Sequence, residues 1–119
     1  MFPAAGQARW TALRRQALAD GMMDAAVGRR VESLRPDNEK SPSGMEAQRA
    51  KVSAGLDALE AEVDEFGSGL DIGVIAVGCA LGYLDFRFAA EDWRQSHPKL
   101  ARWFETFSSR PSMKATKAN

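Results

Sequence analysis

Ile72-Gly-Val-Ile-Ala-Val-Gly-Cys-Ala-Leu-Gly-Tyr-Leu84 is the stretch that decides the fold. It runs 13 residues without a charge, short of the about 20 that span a bilayer. A helix apolar on every side belongs at the centre of a bundle, covered all round. Ser68-Gly69-Leu70-Asp71 leads into it as a Ser-x-x-acid capping box, with Ser68 as the cap and Asp71 as its reciprocal partner. The start of this helix is therefore expected to be buried too, where an unmade cap would strand amide groups at about 1–3 kcal/mol each. Gly73, Gly78 and Gly82 lie inside the apolar run, not between a strand and a helix, so they form no phosphate-binding loop.

Upstream, Phe66 to Gly69 reads as a turn, and before it Met45, Val52, Leu56, Leu59, Val63 and Phe66 form an a/d series interrupted only by Arg49. That narrow stripe suits a helix packed as an antiparallel hairpin. Ser43-Gly44-Met45-Glu46 matches a capping box for its start. Ser41 competes, because Pro42 would then occupy the first helical position, where proline is favoured. Residues 35–43 are dense in turn formers and read as a loop. A first helix over 7–34 is rich in Ala, Leu, Arg and Met. On it, Trp10, Arg14, Ala17, Gly21, Asp24 and Gly28 recur every three or four residues. The small members of that stripe predict a close helix crossing. Downstream, His97-Pro98 opens a last helix carrying Leu100, Trp103, Phe104 and Phe107, and Arg110-Pro111 closes it. The sequence thus predicts one all-α domain, a helical bundle of four helices around a buried apolar centre, with residues 1–6 as linker and 113–119 as a loose tail.

The 119 residues suffice for a core without disulfides or a structural metal. Lys+Arg and Asp+Glu balance at 16 each, which gives no electrostatic footprint for nucleic acid or an anionic membrane. The basic lean of the first thirty residues, from Arg9, Arg14, Arg15, Arg29 and Arg30, reads as a solvated helix face. A single cysteine and no recognisable signal segment make a reducing, cytoplasmic setting the expectation.

Few residues suggest chemistry. Cys79 has no charged neighbour within four positions to favour a thiolate and is expected to be an inert core cysteine. His97 is the only histidine, no Cys/His cluster accompanies it, and it is expected to cap the last helix; no metal site is predicted. Asp71 reads as a capping acceptor, and Asp85 is expected to pair with Arg87 or with the neighbours of Trp93. Trp10, Arg14, Asp20 and Asp24 are harder to explain structurally. Arg14 and Asp24 share a stripe that a purely structural helix would fill with Leu or Ala, and Asp20 flanks it. A cleft or a subunit interface would account for them, as would surface ion pairing.

In order along the chain, Arg9-Trp10, Gln16-Ala-Leu-Ala-Asp-Gly-Met-Met-Asp-Ala-Ala26, Gly55-Leu-Asp-Ala-Leu-Glu60, Leu70 to Arg87, Trp93-Arg94, His97-Pro98, Leu100, Trp103 and Arg110-Pro-Ser-Met113 resemble the C-terminal helical domain of bacterial glutathione S-transferases. The resemblance covers nearly the whole chain and is most specific from Leu70 to Met113. It implies a partner domain, thioredoxin-like, that binds glutathione and activates its thiol. These helices would then wall the electrophile pocket, chiefly from the first helix, and help form a two-fold homodimer. It also implies that the Ser68–Asp71 box matters for folding; Gly67 departs from the usual hydrophobic staple there, and Phe66 is the available substitute. No catalytic residue and no cofactor of its own are expected for this chain, with glutathione as co-substrate once the missing half is supplied. Pro3 lies where an inter-domain linker should end, so the expectation is an isolated domain, or a domain whose other half comes from another chain, inactive alone. The competing reading is a stand-alone interaction or dimerisation module.

Overall fold

A computed structural model describes residues 6–66 and 71–110. Four helices occupy them: α1 (Gly6–Ser33), α2 (Pro42–Glu62), α3 (Ile72–Arg87) and α4 (Pro98–Ser108). A 3-10 turn extends α2 over Val63–Glu65, another lies in the first connection at Asp37–Glu39, and no strand occurs among the described residues.

Pairs of contacts fix the helix directions. Arg15 meets Glu62, Met22 meets Gly55 and Gly28 meets Gln48, so α2 runs antiparallel to α1. Ala12 meets Gly73 and Arg29 lies over Phe88, so α3 runs parallel to α1. Helix α4 then crosses back against α2 and α3, with Phe107 on Gly78. The core these directions create contains Met22 and the alanines of α1, Val52, Leu56 and Leu59 of α2, Val77 and Leu81 of α3, and Leu100 of α4. Leu59, Leu81, Leu100 and Val77 are fully enclosed, each contributing about 1.5–3 kcal/mol. Around α4 an aromatic cluster closes the bundle: Trp103 sits 5.1 Å from both Phe66 and Phe107, and Trp93 lies 5.9 Å from Phe104.

Three expectations from the sequence are corrected. Helix α2 starts at Ser41, not at Ser43: the Ser41 hydroxyl accepts from the Gly44 amide at 3.1 Å, and Pro42 takes the first helical position, where its missing N–H costs nothing. Glu46 instead pairs with Arg49 at 2.8 Å. The inward face of α1 consists of Ala12, Arg15, Ala19, Met22, Ala25 and Ala26, while the Trp10–Ala17–Gly21–Asp24 stripe faces outward. Within this chain the tight crossing therefore runs through the alanines and Gly73, and nothing approaches Gly21 within 4 Å. Cys79 is exposed, not in the core. Helix α3 is central, yet one strip of it is only partly covered. The proposed linker at 1–6 and tail at 113–119, Gly6 apart, lie outside the described residues, as does Pro111.

Candidate functional site

Trp10, Arg14, Asp20 and Asp24 all project from the outward side of α1. Trp10 and Arg14 lie one turn apart, as do Asp20 and Asp24, but about 21 Å of helix separates Trp10 from Asp24, so they form two pairs along one face and not one cluster. Trp10 is 66% exposed, a large apolar surface left to solvent. Arg14 reaches across to α2, where its Nη2 lies 3.1 Å from Glu62 Oε2. The same carboxylate takes the Nε–H of Arg15 at 2.8 Å.

Arg15, counted from the sequence in the solvated basic face, is instead buried. It is 6% exposed, beneath the outward face, with its guanidinium carbon 4.6 Å from the centre of the Phe66 ring. Glu62 thus neutralises one buried and one half-exposed arginine and fixes the spacing of α1 and α2 at that end. The signal was present only in its place three residues after Ala12 and four before Ala19, on the face that the alanines line.

Beside this end lies the start of α3. Asp71 stands at the cap position itself, in extended conformation, and accepts from the Val74 amide at 2.9 Å. It is a capping acceptor, then, but from the cap rather than from the first turn of the helix; Ser68 and Gly67 lie outside the described residues. Beyond the cap, Ile72, Ile75, Cys79, Gly82 and Phe86 recur at steps of three and four. Cys79 and Phe86 are exposed, Ile72, Ile75 and Gly82 are partly buried, and Gly82 has open space where a side chain would begin. The helix that is apolar all round therefore presents one strip that the described chain only partly covers.

At the other end of the bundle the polar residues are structural. Asp85 accepts from Trp93 Nε1 at 3.0 Å and from Arg94 Nη2 at 2.9 Å, so it pairs with the Trp93 region and not with Arg87. His97 occupies the cap position of α4, but its ring makes no capping bond. It bridges Asp57 Oδ1 at 2.7 Å and the Trp93 carbonyl at 2.9 Å. The capping of α4 comes from α2: the Glu60 carboxylate accepts from the Lys99 and Leu100 amides at 3.1 and 2.8 Å. Among the described residues no group of three or more His, Cys, Asp or Glu side chains could hold a metal ion. None of the described helices is long and apolar enough to cross a membrane.

Residues 42–106 match the family described as glutathione S-transferase, C-terminal domain. A glutathione transferase family member from Pseudomonas fluorescens Pf-5, solved with bound glutathione, is 48% identical with a TM-score of 0.95, the match covering 99% of this chain and 58% of that one. A glutathione S-transferase from Methylobacillus flagellatus KT, solved with glutathione bound, is 34% identical with a TM-score of 0.93, covering 99% and 60%. An uncharacterised GST-like protein of Escherichia coli K12, YibF, is 36% identical over 104 residues, 85% of this chain and 52% of that protein. The chain thus spans about half the length of the E. coli relative and about three fifths of the two solved chains.

Proposed function

The chain belongs to the glutathione S-transferase family through its C-terminal helical domain, and from that membership we propose that it serves as the helical half of a glutathione-dependent transferase. In this reading a thioredoxin-like half, outside these 119 residues, binds glutathione and activates its thiol. The helical half holds the electrophile against that thiolate. Its contribution is proximity and orientation, which convert an encounter in solution into a step within one complex.

The observation that carries this reading is the partly covered strip of α3. Ile75, Cys79, Gly82 and Phe86 belong to the most apolar helix of the chain, and covering what remains exposed of Phe86 and Ile75 would contribute only a part of the about 1.5–3 kcal/mol that full burial of such a side chain is worth. A second domain packed there would complete the enclosure that such a helix calls for. The outward face of α1 then becomes the pocket wall or the dimer contact. Trp10 offers an apolar surface, Arg14 a cation held in place by Glu62, and Asp20 and Asp24 carboxylates that set polarity at the far edge.

Mixing the purified chain with the thioredoxin-like half of the Pseudomonas relative tests the reading. Cys79 should react readily with a disulfide reagent in the lone chain and become protected in the mixture. Conjugation of glutathione to a chromogenic aryl halide should appear only in the mixture. Turnover by the lone chain, or tight glutathione binding by it, would overturn the assignment of thiol activation to the other half. The alternative, a stand-alone interaction module, draws on Trp10 and Val31, which are exposed along α1, and on Leu34 just beyond its end. Light scattering of the lone chain distinguishes the two: a self-associating chain that never recruits the second domain favours the module.

A further inference from the structure

At the end of the bundle remote from Trp10, a cleft of about 330 Å³ opens between the second half of α1, the middle of α2 and the segment over residues 88–97. Its floor is apolar, with Leu56, Leu84 and Trp93 facing the space. The volume lies at the small end of ligand pockets, which range over about 300–1,000 Å³, and suits a molecule with a single ring.

The cleft is held open by three separate anchors. Glu91 takes both guanidinium branches of Arg29, one at 2.8 Å, while Arg29 lies 4.7 Å from the centre of the Phe88 ring. Asp85 grips Trp93 and Arg94. His97 ties the Trp93 carbonyl to Asp57 on α2. A ligand entering here finds the walls already ordered and loses little to rearrangement.

The rim carries both signs, and two of its charges are available. Arg29 and Glu91 satisfy each other. Arg49, on the α2 wall, is held by Glu46 of its own helix, and both side chains are about half exposed. Such an exposed pair is weak, so a ligand carboxylate can take the place of Glu46. On the wall formed by residues 88–97, Asp92 is exposed and accepts the Arg94 amide through one oxygen, which leaves its other oxygen for a ligand. A lone anion drawn to Arg49 would still face Asp92, and a lone cation drawn to Asp92 would still face Arg49. A molecule bearing both charges complements both walls.

We propose that this cleft binds a free α-amino acid with an apolar side chain, its carboxylate on Arg49, its ammonium on Asp92 and its side chain on Leu56, Leu84 and Trp93. The site lies apart from the α1 face and the α3 strip, so it stands or falls independently of the transferase reading.

The test is a titration of the isotope-labelled 119-residue chain with L-phenylalanine, following the indole N–H resonance of Trp93, with calorimetry in parallel. 3-Phenylpropionate and phenethylamine, which keep the ring and one charge each, serve as the comparison. Saturable movement of the Trp93 resonance is expected with L-phenylalanine, and binding about tenfold weaker, or more, with each single-charge analogue. Arg49→Gln should weaken L-phenylalanine about tenfold without weakening phenethylamine, and Asp92→Asn should weaken L-phenylalanine about tenfold without weakening 3-phenylpropionate. Both positions are exposed, and unchanged helical circular dichroism verifies the fold. Ser53→Phe, which places a ring in the cleft, should abolish binding. The proposal is overturned by the absence of saturation up to about 10 mM, beyond the weak end of specific affinities. It is equally overturned by equal binding of all three compounds, or by indifference to Arg49→Gln.

Discussion

Gly73 of α3 meets Ala12 of α1 so closely that a Cβ on Gly73 would stand 2.5 Å from the Ala12 carbonyl oxygen. The obstacle is backbone, which cannot rotate aside. Gly73→Ala should therefore destabilise the chain by about 1–3 kcal/mol through overpacking, outweighing the gain of up to about 1 kcal/mol from removing a helical glycine. Gly21→Ala should do the opposite, because nothing lies within 4 Å of the new methyl, and should stabilise by up to about 1 kcal/mol. Urea denaturation of the two variants measures both signs; if they agree, the inward face of α1 has been misidentified.

The shared carboxylate of Glu62 sets a second expectation. Glu62→Ala leaves Arg15 buried without its counter-charge and frees Arg14 from α2. Removing one partner of a largely buried charged pair should cost about 1–3 kcal/mol. Glu62→Gln, which keeps an acceptor for the Arg15 Nε–H, should cost less. The ordering of the two midpoints in urea is the measurement, and equal losses would mean that the charge matters but the hydrogen bond does not.

Glu60 supplies a third. Its carboxylate accepts two amides at the start of α4, so Glu60→Ala leaves both without that partner and loosens α4 from α2. A loss of about 0.5–2 kcal/mol is expected, the range of a lost cap. It should come with a change in near-ultraviolet circular dichroism, because Trp103 and Phe107 ride on that helix. His97→Asn should not reproduce the capping loss, since the His97 side chain makes no capping bond.

What the sequence disclosed, and what it withheld, follows from the range of each interaction. The four helices and the central place of α3 were legible because apolar periodicity and Ser/Asp caps act within a few residues. The start of α2 was legible in principle too: Pro42 has no amide hydrogen to strand, so Ser41 has the advantage over Ser43. The inward face of α1 was not legible from its composition. Alanines and glycines populate both sides of that helix, and the small residues that predict a close crossing share the stripe of Trp10, which is exposed. Cys79 failed for a related reason. In a run that is apolar on every side, periodicity carries no information about which strip is left partly uncovered. The Glu60 cap and the two-arginine role of Glu62 join residues more than 35 apart in sequence, where local pattern is silent.

The Arg29–Glu91 pair gives the pH dependence. Its hydrogen bond from Arg29 holds the Glu91 carboxyl below its ordinary value of 4.5 in the folded chain. The folded state then binds that proton less readily than the unfolded chain does, so the contribution of the pair is complete above about pH 5.5. It drains away as the pH falls through the lowered folded value. Because the Glu91 side chain is 47% exposed, solvent screens the pair and its contribution should stay below about 1 kcal/mol. Urea midpoints at pH 7 and pH 3 for the wild type and Glu91→Gln isolate it. The wild type should be the more stable at pH 7, and the gap should be narrower at pH 3, as the carboxyl takes up its proton and becomes as neutral as the glutamine. A gap of the same size at both values would show that Glu91 acts by packing over the cleft and not by its charge.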